Sequence, residues 1–433
     1  MQVLHLSTSD AVGGAARAAF RLHDGLLRRG LESEMLVLNK TVVRPDIHRF
    51  VPSRSSGDRL ARRVRRLFFS APRTDYPLGA DSLDVFSRGR SYWGDELLRQ
   101  ATGADFVNLH WSVGMFEYDG LVGLKQTVWT LHDMHPFTGG CHFDDGCGRY
   151  RQSCGSCPQL RSRRDDDDSR RLWRRRRAAL ETIAENRLTI VAPSRWLANA
   201  ARQSALFSRF RVEVIPYGLD TDVFCPRDRS VAREALGIPT AARVVLFVCD
   251  RMANRRKGFS LLLDALSRLG NVPNLWLLSI GNGERLAGTA FPHRHIPFID
   301  DDRLLSVFYS AADLFVIPSI QDNLPNTALE ATACGVPIVG FDVGGIPDIV
   351  QGHRNGRAVP VGDTAAMAAA IHEILGDAER RRVMGEEARA IAISQFSLET
   401  QASRYESLYR ERLQTSSPAA LNRDAGRIPS PVS

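Results

Sequence analysis

Short apolar runs and polar, glycine-bearing loops alternate along the chain. Runs at residues 3–6, 35–38, 105–110, 126–131, 188–192, 212–215, 243–249, 276–280, 314–317 and 337–341 are mostly apolar and lie between polar or turn-forming residues. Runs of this length between turn residues read as strands covered on both faces. A shorter strand running into a loop is predicted at 297–301. Helical spacing follows Gly13 and Gly14 within 9–30 and recurs at 304–313, 326–334, 364–375 and 396–413. Gly335 and Pro337 stop the 326–334 helix, and a glycine turn after 341 leads into another short one. Alternating strands and helices indicate an α/β chain with parallel sheets. The rhythm breaks at PYGLDTDVF and restarts at residue 243. The expected division is residues 1–215, residues 216–395, a closing helix at 396–413 and a tail at 414–433. That tail, rich in Ser, Pro and Ala, is expected to be disordered.

Composition narrows the setting. The 433 residues carry a net charge of +8, and no apolar run is long enough to span a bilayer. The opening MQVLHLST lacks the features of a signal peptide and reads as a first strand, so a cytoplasmic protein is expected. Residues 52–73 have no evident place in a core. Leu60, Val64, Leu67 and Phe68 fall at helical spacing among Arg59, Arg62, Arg63, Arg65 and Arg66, as in a helix lying on an anionic membrane surface. Peripheral contact with the inner face of the plasma membrane is the expectation; a solvated surface helix is the plainer alternative. The charge-dense stretch at 161–177, with its DDDD run, reads as solvated. No nucleic-acid motif accompanies the basic charge.

Four of the seven cysteines bunch in CHFDDGCGRYRQSCGSCP. Cys154 and Cys157 have zinc-knuckle spacing, and Cys141 and Cys147 complete a candidate Cys₄ site. Four thiolates leave zinc no open position, so such a metal is structural. Free thiols or a redox pair are the alternatives. Cys225, Cys249 and Cys334 read as buried thiols.

The candidate chemistry sits where strands meet loops. After the 314–317 strand, backbone N–H groups near Asn323, Leu324 and Asn326 stand at a helix start and can face an anion or sugar hydroxyls. Thr327 and Glu330 share a helix face, and a carboxylate there suits a vicinal diol such as a ribose. Asp322 can accept from a second polyol. Arg251 and Lys257 bracket a basic loop after the 243–249 strand and can neutralise a diphosphate, with Arg255 and Arg256 as substitutes. Gly13 and Gly14 let backbone approach a ligand ahead of a helix. His132 ends a strand and faces the same crevice.

Together these residues resemble the large retaining family 4 of nucleotide-sugar glycosyltransferases. The resemblance runs from the GGA loop to the last helix and is strongest over EATACGVPIVGFDVGGIPDIV. LHDMHPFTGGCHF and CGSCPQL are similar to a subgroup of exopolysaccharide transferases of the colanic-acid type. It implies a GT-B fold, two Rossmann-like domains facing across a cleft, with the last helix crossing back to the first. It also implies transfer of a sugar from a UDP- or GDP-sugar to a glycan or lipid-linked acceptor, with no cofactor required for catalysis and no nucleic-acid partner. The family's paired acids map onto Asp322 and Glu330. By this resemblance Glu330 binds the ribose, while Asp322 with Asn323 and Leu324 holds the donor sugar. Arg251 and Lys257 grip the diphosphate, Gly13 and Gly14 wall the acceptor side, His132 meets the donor sugar, and the loop around Ile299 lies against the base. Two positions depart from the pattern: Asp322 stands where Glu is usual, and Tyr217 where Asn is common. A nucleotide-sugar epimerase of the same fold and a non-catalytic lipid- or nucleic-acid-binding protein are the competing readings.

Overall fold

The computed structural model describes residues 1–69, 86–283 and 290–415. Seven strands form the first sheet: β1 (Gln2–Ser9), β2 (Glu32–Asn39), β3 (Ile47–Arg49), β4 (Phe106–Leu109), β5 (Thr127–Thr130), β6 (Leu188–Ala192) and β7 (Arg211–Val214). Six form the second: β8 (Arg243–Arg251), β9 (Leu275–Asn282), β10 (His293–Ile296), β11 (Leu314–Ile317), β12 (Ile338–Phe341) and β13 (Gly356–Val359). The helices are α1 (Gly14–Arg28), α2 (Ser56–Phe69), α3 (Glu96–Gln100), α4 (Asp168–Glu181), α5 (Arg195–Gln203), α6 (Arg229–Ala235) and α7 (Phe259–Ser267). They continue with α8 (Asp302–Ala311), α9 (Asn326–Ala333), α10 (Ile346–Ile349), α11 (Thr364–Gly376), α12 (Ala378–Phe396) and α13 (Leu398–Thr415).

Every strand pairing is parallel, in the orders β3-β2-β1-β4-β5-β6-β7 and β10-β9-β8-β11-β12-β13. Each order reverses once, between β1 and β4 and between β8 and β11. Crevices open at such points, beyond the carboxyl ends of the strands. The Gly13–Gly14 loop follows β1, and the basic loop of Lys257 follows β8. Helices cover both faces of each sheet, which is why β4, β5, β6, β11 and β12 are buried at every residue.

The last helix returns to the first sheet. Leu219 pairs with the α12–α13 junction through Leu219 N–H to Phe396 O (2.9 Å) and Leu398 N–H to Leu219 O (3.0 Å). From there α13 lays Tyr405 and Tyr409 against Val3, Leu22, Phe106, Val128 and Val191. Asn108 Nδ2 donates to Tyr409 Oη (2.9 Å), and Tyr405 Oη–H donates to Thr130 Oγ1 (2.8 Å), whose own proton goes to Asn108 Oδ1 (2.9 Å).

Several expectations shift. The strand expected at 297–301 lies at His293–Ile296, because Pro297 has no N–H for a ladder and the histidines are held by Ser279 Oγ at 2.7 and 2.9 Å. The DDDD run is not wholly solvated: Asp167 is fully buried, caps α4 through Arg170 N–H and accepts from Cys157 N–H at 2.7 Å. Cys225 is only half-buried, whereas Cys249 and Cys334 are buried. The expected tail starts inside α13, which runs to Thr415; residues 416–433 lie outside the described residues, as do residues 70–73 of the basic stretch.

Candidate functional site

The loop between β11 and α9 is held from two sides by glycine. Gly258 sits at φ +71, where a Cβ would stand 1.9 Å from Pro318 O, so only glycine lets the loop after β8 lie against the loop after β11. Behind it, a Cβ on Gly345 would stand 1.7 Å from Asn323 O. This packing carries Lys257 Nζ to 2.8 Å from Asp322 Oδ2 and Arg256 Nη1 to 3.6 Å from Oδ1. Arg256 also donates to Gln321 O (2.8 Å) and lies 4.5 Å over the Phe143 ring, so the cysteine-bearing segment of the first half abuts this loop. Burial pushes the Asp322 carboxyl up, but Lys257 and Arg256 outweigh it and hold it below its ordinary value. Arg251, expected to grip the diphosphate, lies at the exposed end of β8 with Asp250 at 3.9 Å, and Arg256 is the second cation next to Asp322.

Asn323 and Asn326 face the first half. The Asn323 side chain accepts from Ser194 Oγ (2.7 Å) and donates to His132 O (3.1 Å); Asn326 Nδ2 donates to Gly14 O (2.9 Å). The Gly13–Gly14 loop thus meets the start of α9, with Gly13 at φ +94. Leu324 is packed in the core, while Thr327 is half-buried. Glu330 is buried one turn further on, accepting from Arg21 Nη2 (2.9 Å) and Tyr309 Oη (3.1 Å). Burial raises its carboxyl above the ordinary value, although Arg21 works against the rise. At the expected base-facing loop the Ile299 side chain is turned into the core, and Phe298 is the exposed ring, at 62%.

His132 is half-buried and lines a pocket with His110, Trp111, Asp133 and His135, and both of its ring nitrogens have partners. Its Nε2 is 3.1 Å from His110 Nδ1, and His110 Nε2 is 2.9 Å from His5 Nδ1; its Nδ1 is 2.7 Å from Tyr217 Oη. His5 Nε2 is buried without a partner among the described residues. A stranded N–H costs more than a stranded lone pair, so the protons run toward Tyr217: each Nδ1–H donates, and Tyr217 Oη–H donates to Leu131 O at 3.3 Å. Burial keeps the row neutral, with His5 and His110 well below the usual histidine value and His132 at about 4. Both ring nitrogens of His132 are therefore spent, and its carbonyl is what reaches the Asp322 loop. Tyr217, the residue that departs from the family pattern, closes this row.

Cys141, Cys147, Cys154 and Cys157 line one small pocket with Phe86 and Tyr150. Cys154 Sγ accepts from Gly139 N–H (3.1 Å), and among the described residues no group of three or more His, Cys, Asp or Glu is gathered closely enough to hold a metal ion. Burial pushes the Cys154 thiol up to about 12.

Sequence reading missed Arg21, Arg17, Ser194 and Tyr309. Arg17 pairs with Asp302 at 2.9 Å. The legible signal was Arg21: it lies three residues after Ala18 and four before Gly25, on the buried face of α1, where a charge needs a partner.

The pattern described as Glycosyltransferase Family 4 matches residues 12–223, and that described as Glycosyl transferases group 1 matches residues 242–377. N-acetyl-alpha-D-glucosaminyl L-malate synthase of Bacillus anthracis is 27% identical over 201 residues, 45% of this chain and 52% of that protein. D-inositol 3-phosphate glycosyltransferase of Mycolicibacterium smegmatis is 33% identical over 182 residues, 39% of this chain and 40% of that protein. The chain thus aligns with about half, or less, of these relatives' length. Sucrose-phosphate synthase from Thermosynechococcus elongatus superposes with a TM-score of 0.65 at 20% identity, over 96% of this chain and 100% of that one. Anabaena HepE in complex with UDP-glucose gives 0.64 at 17%, again over 96% and 100%. With two parallel sheets built as in these structures and both patterns matched in order, the chain belongs to the group 1, family 4 glycosyltransferases of the GT-B fold.

Proposed function

We propose that the protein transfers a sugar, with retention, from a nucleotide-diphospho-sugar to a glycan or lipid-linked acceptor in cell-surface polysaccharide synthesis. The observation that carries this reading is the gathering of Lys257 and Arg256 on Asp322, in the loop that leads to the start of α9, where Asn326 meets Gly14. Lys257, Arg256 and the N-terminal end of α9 neutralise the diphosphate as it departs, the part a divalent metal plays elsewhere. The bond from the anomeric carbon to phosphate oxygen breaks as the bond to the acceptor oxygen forms on the same face. The acceptor's proton passes to the departing phosphate oxygen. No side chain need serve as base, which fits a His132 ring with both nitrogens engaged. Asp322 holds the donor sugar and Glu330 the ribose. That HepE was solved with UDP-glucose supports a UDP-sugar as the first donor to try.

Incubation with UDP- and GDP-sugars, with and without lipid-linked acceptor, followed by nucleotide release, tests the reading. Acceptor-dependent release with a product of unchanged anomeric configuration is expected. Epimerised donor without acceptor would favour the epimerase. Metal analysis of protein purified without chelator tests for structural zinc at the four cysteines. No helix among the described residues is long and apolar enough to cross a membrane. The outward face of α2 supports peripheral contact with an anionic membrane.

A further inference from the structure

Arg21 comes from the first half, yet it lies on the carboxylate assigned above to the ribose. Its Nη2 donates to Glu330 Oε1 at 2.9 Å and to Asp302 Oδ2 at 3.3 Å, and its guanidinium lies 5.2 Å over the Phe224 ring. Arg21 is 6% exposed and Glu330 2%. Nη1 is buried and has no hydrogen-bond partner among the described residues. A charged donor buried in that way is costly, and a group that could accept from it would be held strongly. Glu330 beside it can only accept. A ribose diol meets both needs, since each hydroxyl gives one proton and offers lone pairs.

We propose that Arg21 belongs to the nucleotide site, and that Arg21 and Glu330, one from each half, hold the ribose hydroxyls between them. This rests on the nucleotide reading of the proposed function. The diol reaches Glu330 only when α1 and α9 part, which also separates Arg17 from Asp302 (2.9 Å) and Asn326 from Gly14 (2.9 Å). The ribose then stands between partners that bind each other directly without it, and the sugar of the nucleotide becomes the piece that joins the two halves. The second half alone would read the ribose from one side; Arg21 makes recognition depend on closure.

The test is titration calorimetry of the full chain with UDP and GDP and with their 2′-deoxy and 3′-deoxy forms. Wild type should prefer the ribonucleotide over a deoxy form by roughly 10- to 100-fold, the range of a lost hydrogen bond to a charged group. Arg21→Met should bind more weakly and lose most of that preference. Should Arg21→Met fail to fold, Arg21→Lys keeps a cation between Glu330 and Asp302 but loses the planar fork, and its preference should drop by about ten-fold. A folded Arg21→Lys with wild-type preference overturns the proposal and leaves Arg21 a structural ion pair. If wild type binds neither ribonucleotide, or Glu330→Ala binds as well as wild type, the nucleotide reading itself falls.

Discussion

Lys257 reaches Asp322 from another strand's loop, and the buried carboxylate depends on that cation. Lys257→Ala should lower turnover by about 2 to 4 kcal/mol of transition-state stabilisation, as for a lost donor to a developing anion. Steady-state kinetics with the preferred donor check this; unchanged kinetics would remove Lys257 from the diphosphate site. The same pair has a pH signature. The folded pKa of Asp322 is depressed, so its contribution to stability is present above the ordinary carboxylate value, about 4, and is lost as pH falls through the folded one. The stability gap between wild type and Lys257→Met, measured by urea unfolding, should therefore be largest at neutral pH and shrink in acid. The histidine row predicts the opposite kind of result. With His132 at about 4 and its neighbours lower still, the row stays neutral near pH 7. Turnover should show no inflection from it between roughly pH 6 and 8, the span in which a free histidine titrates.

α2 shows why burial cannot be inferred from spacing alone. Its 3.6-residue pattern was legible, but which side faced the protein was not. Arg62 pairs with Glu96 at 2.6 Å and Asp58 with Arg99 at 2.9 Å, so polar residues fasten the helix. Leu60 and Leu67 are left 64% and 73% exposed, with Arg59, Arg63 and Arg66 beside them. An apolar stripe turned outward between cations matches the boundary of an anionic bilayer. The protein should float with liposomes containing anionic lipid and much less with neutral ones; replacing Leu60 and Leu67 with Ser should weaken flotation. Equal recovery with both lipids would count against the contact. The same limit explains other elements. Leu314–Ile317 was readable to the residue because a strand covered on both faces must be apolar throughout. β3 (IHR) and β13 (GRAV) went unread, since short edge strands need few apolar residues. Asp167 looked solvated because its partners, the Cys157 and Arg170 amides, exist only once the chain has folded.

Across the whole molecule, the motifs after β8 and β11 could be assigned to one crevice because strand ends at a reversal of order must converge. What faced them could not. Arg21, Ser194 and the His132 carbonyl reach the second half from 309, 129 and 191 residues away in sequence. Arg28–Asp220 (2.8 Å) and Arg195–Asp348 (2.7 Å) tie the same junction at its edges.

The return of α13 bears on the order in which the protein can be made. Tyr405 and Tyr409 complete the packing around Val3, Phe106 and Val128, and they supply the partners of Asn108 and Thr130. On the ribosome, the first sheet emerges early but keeps an apolar underside and two polar side chains waiting for the final helix. The second sheet needs the chain only as far as α12, whose Ile391, Ala392 and Phe396 pack into its core, and so can close one helix earlier. The half synthesised first is thus the half completed last.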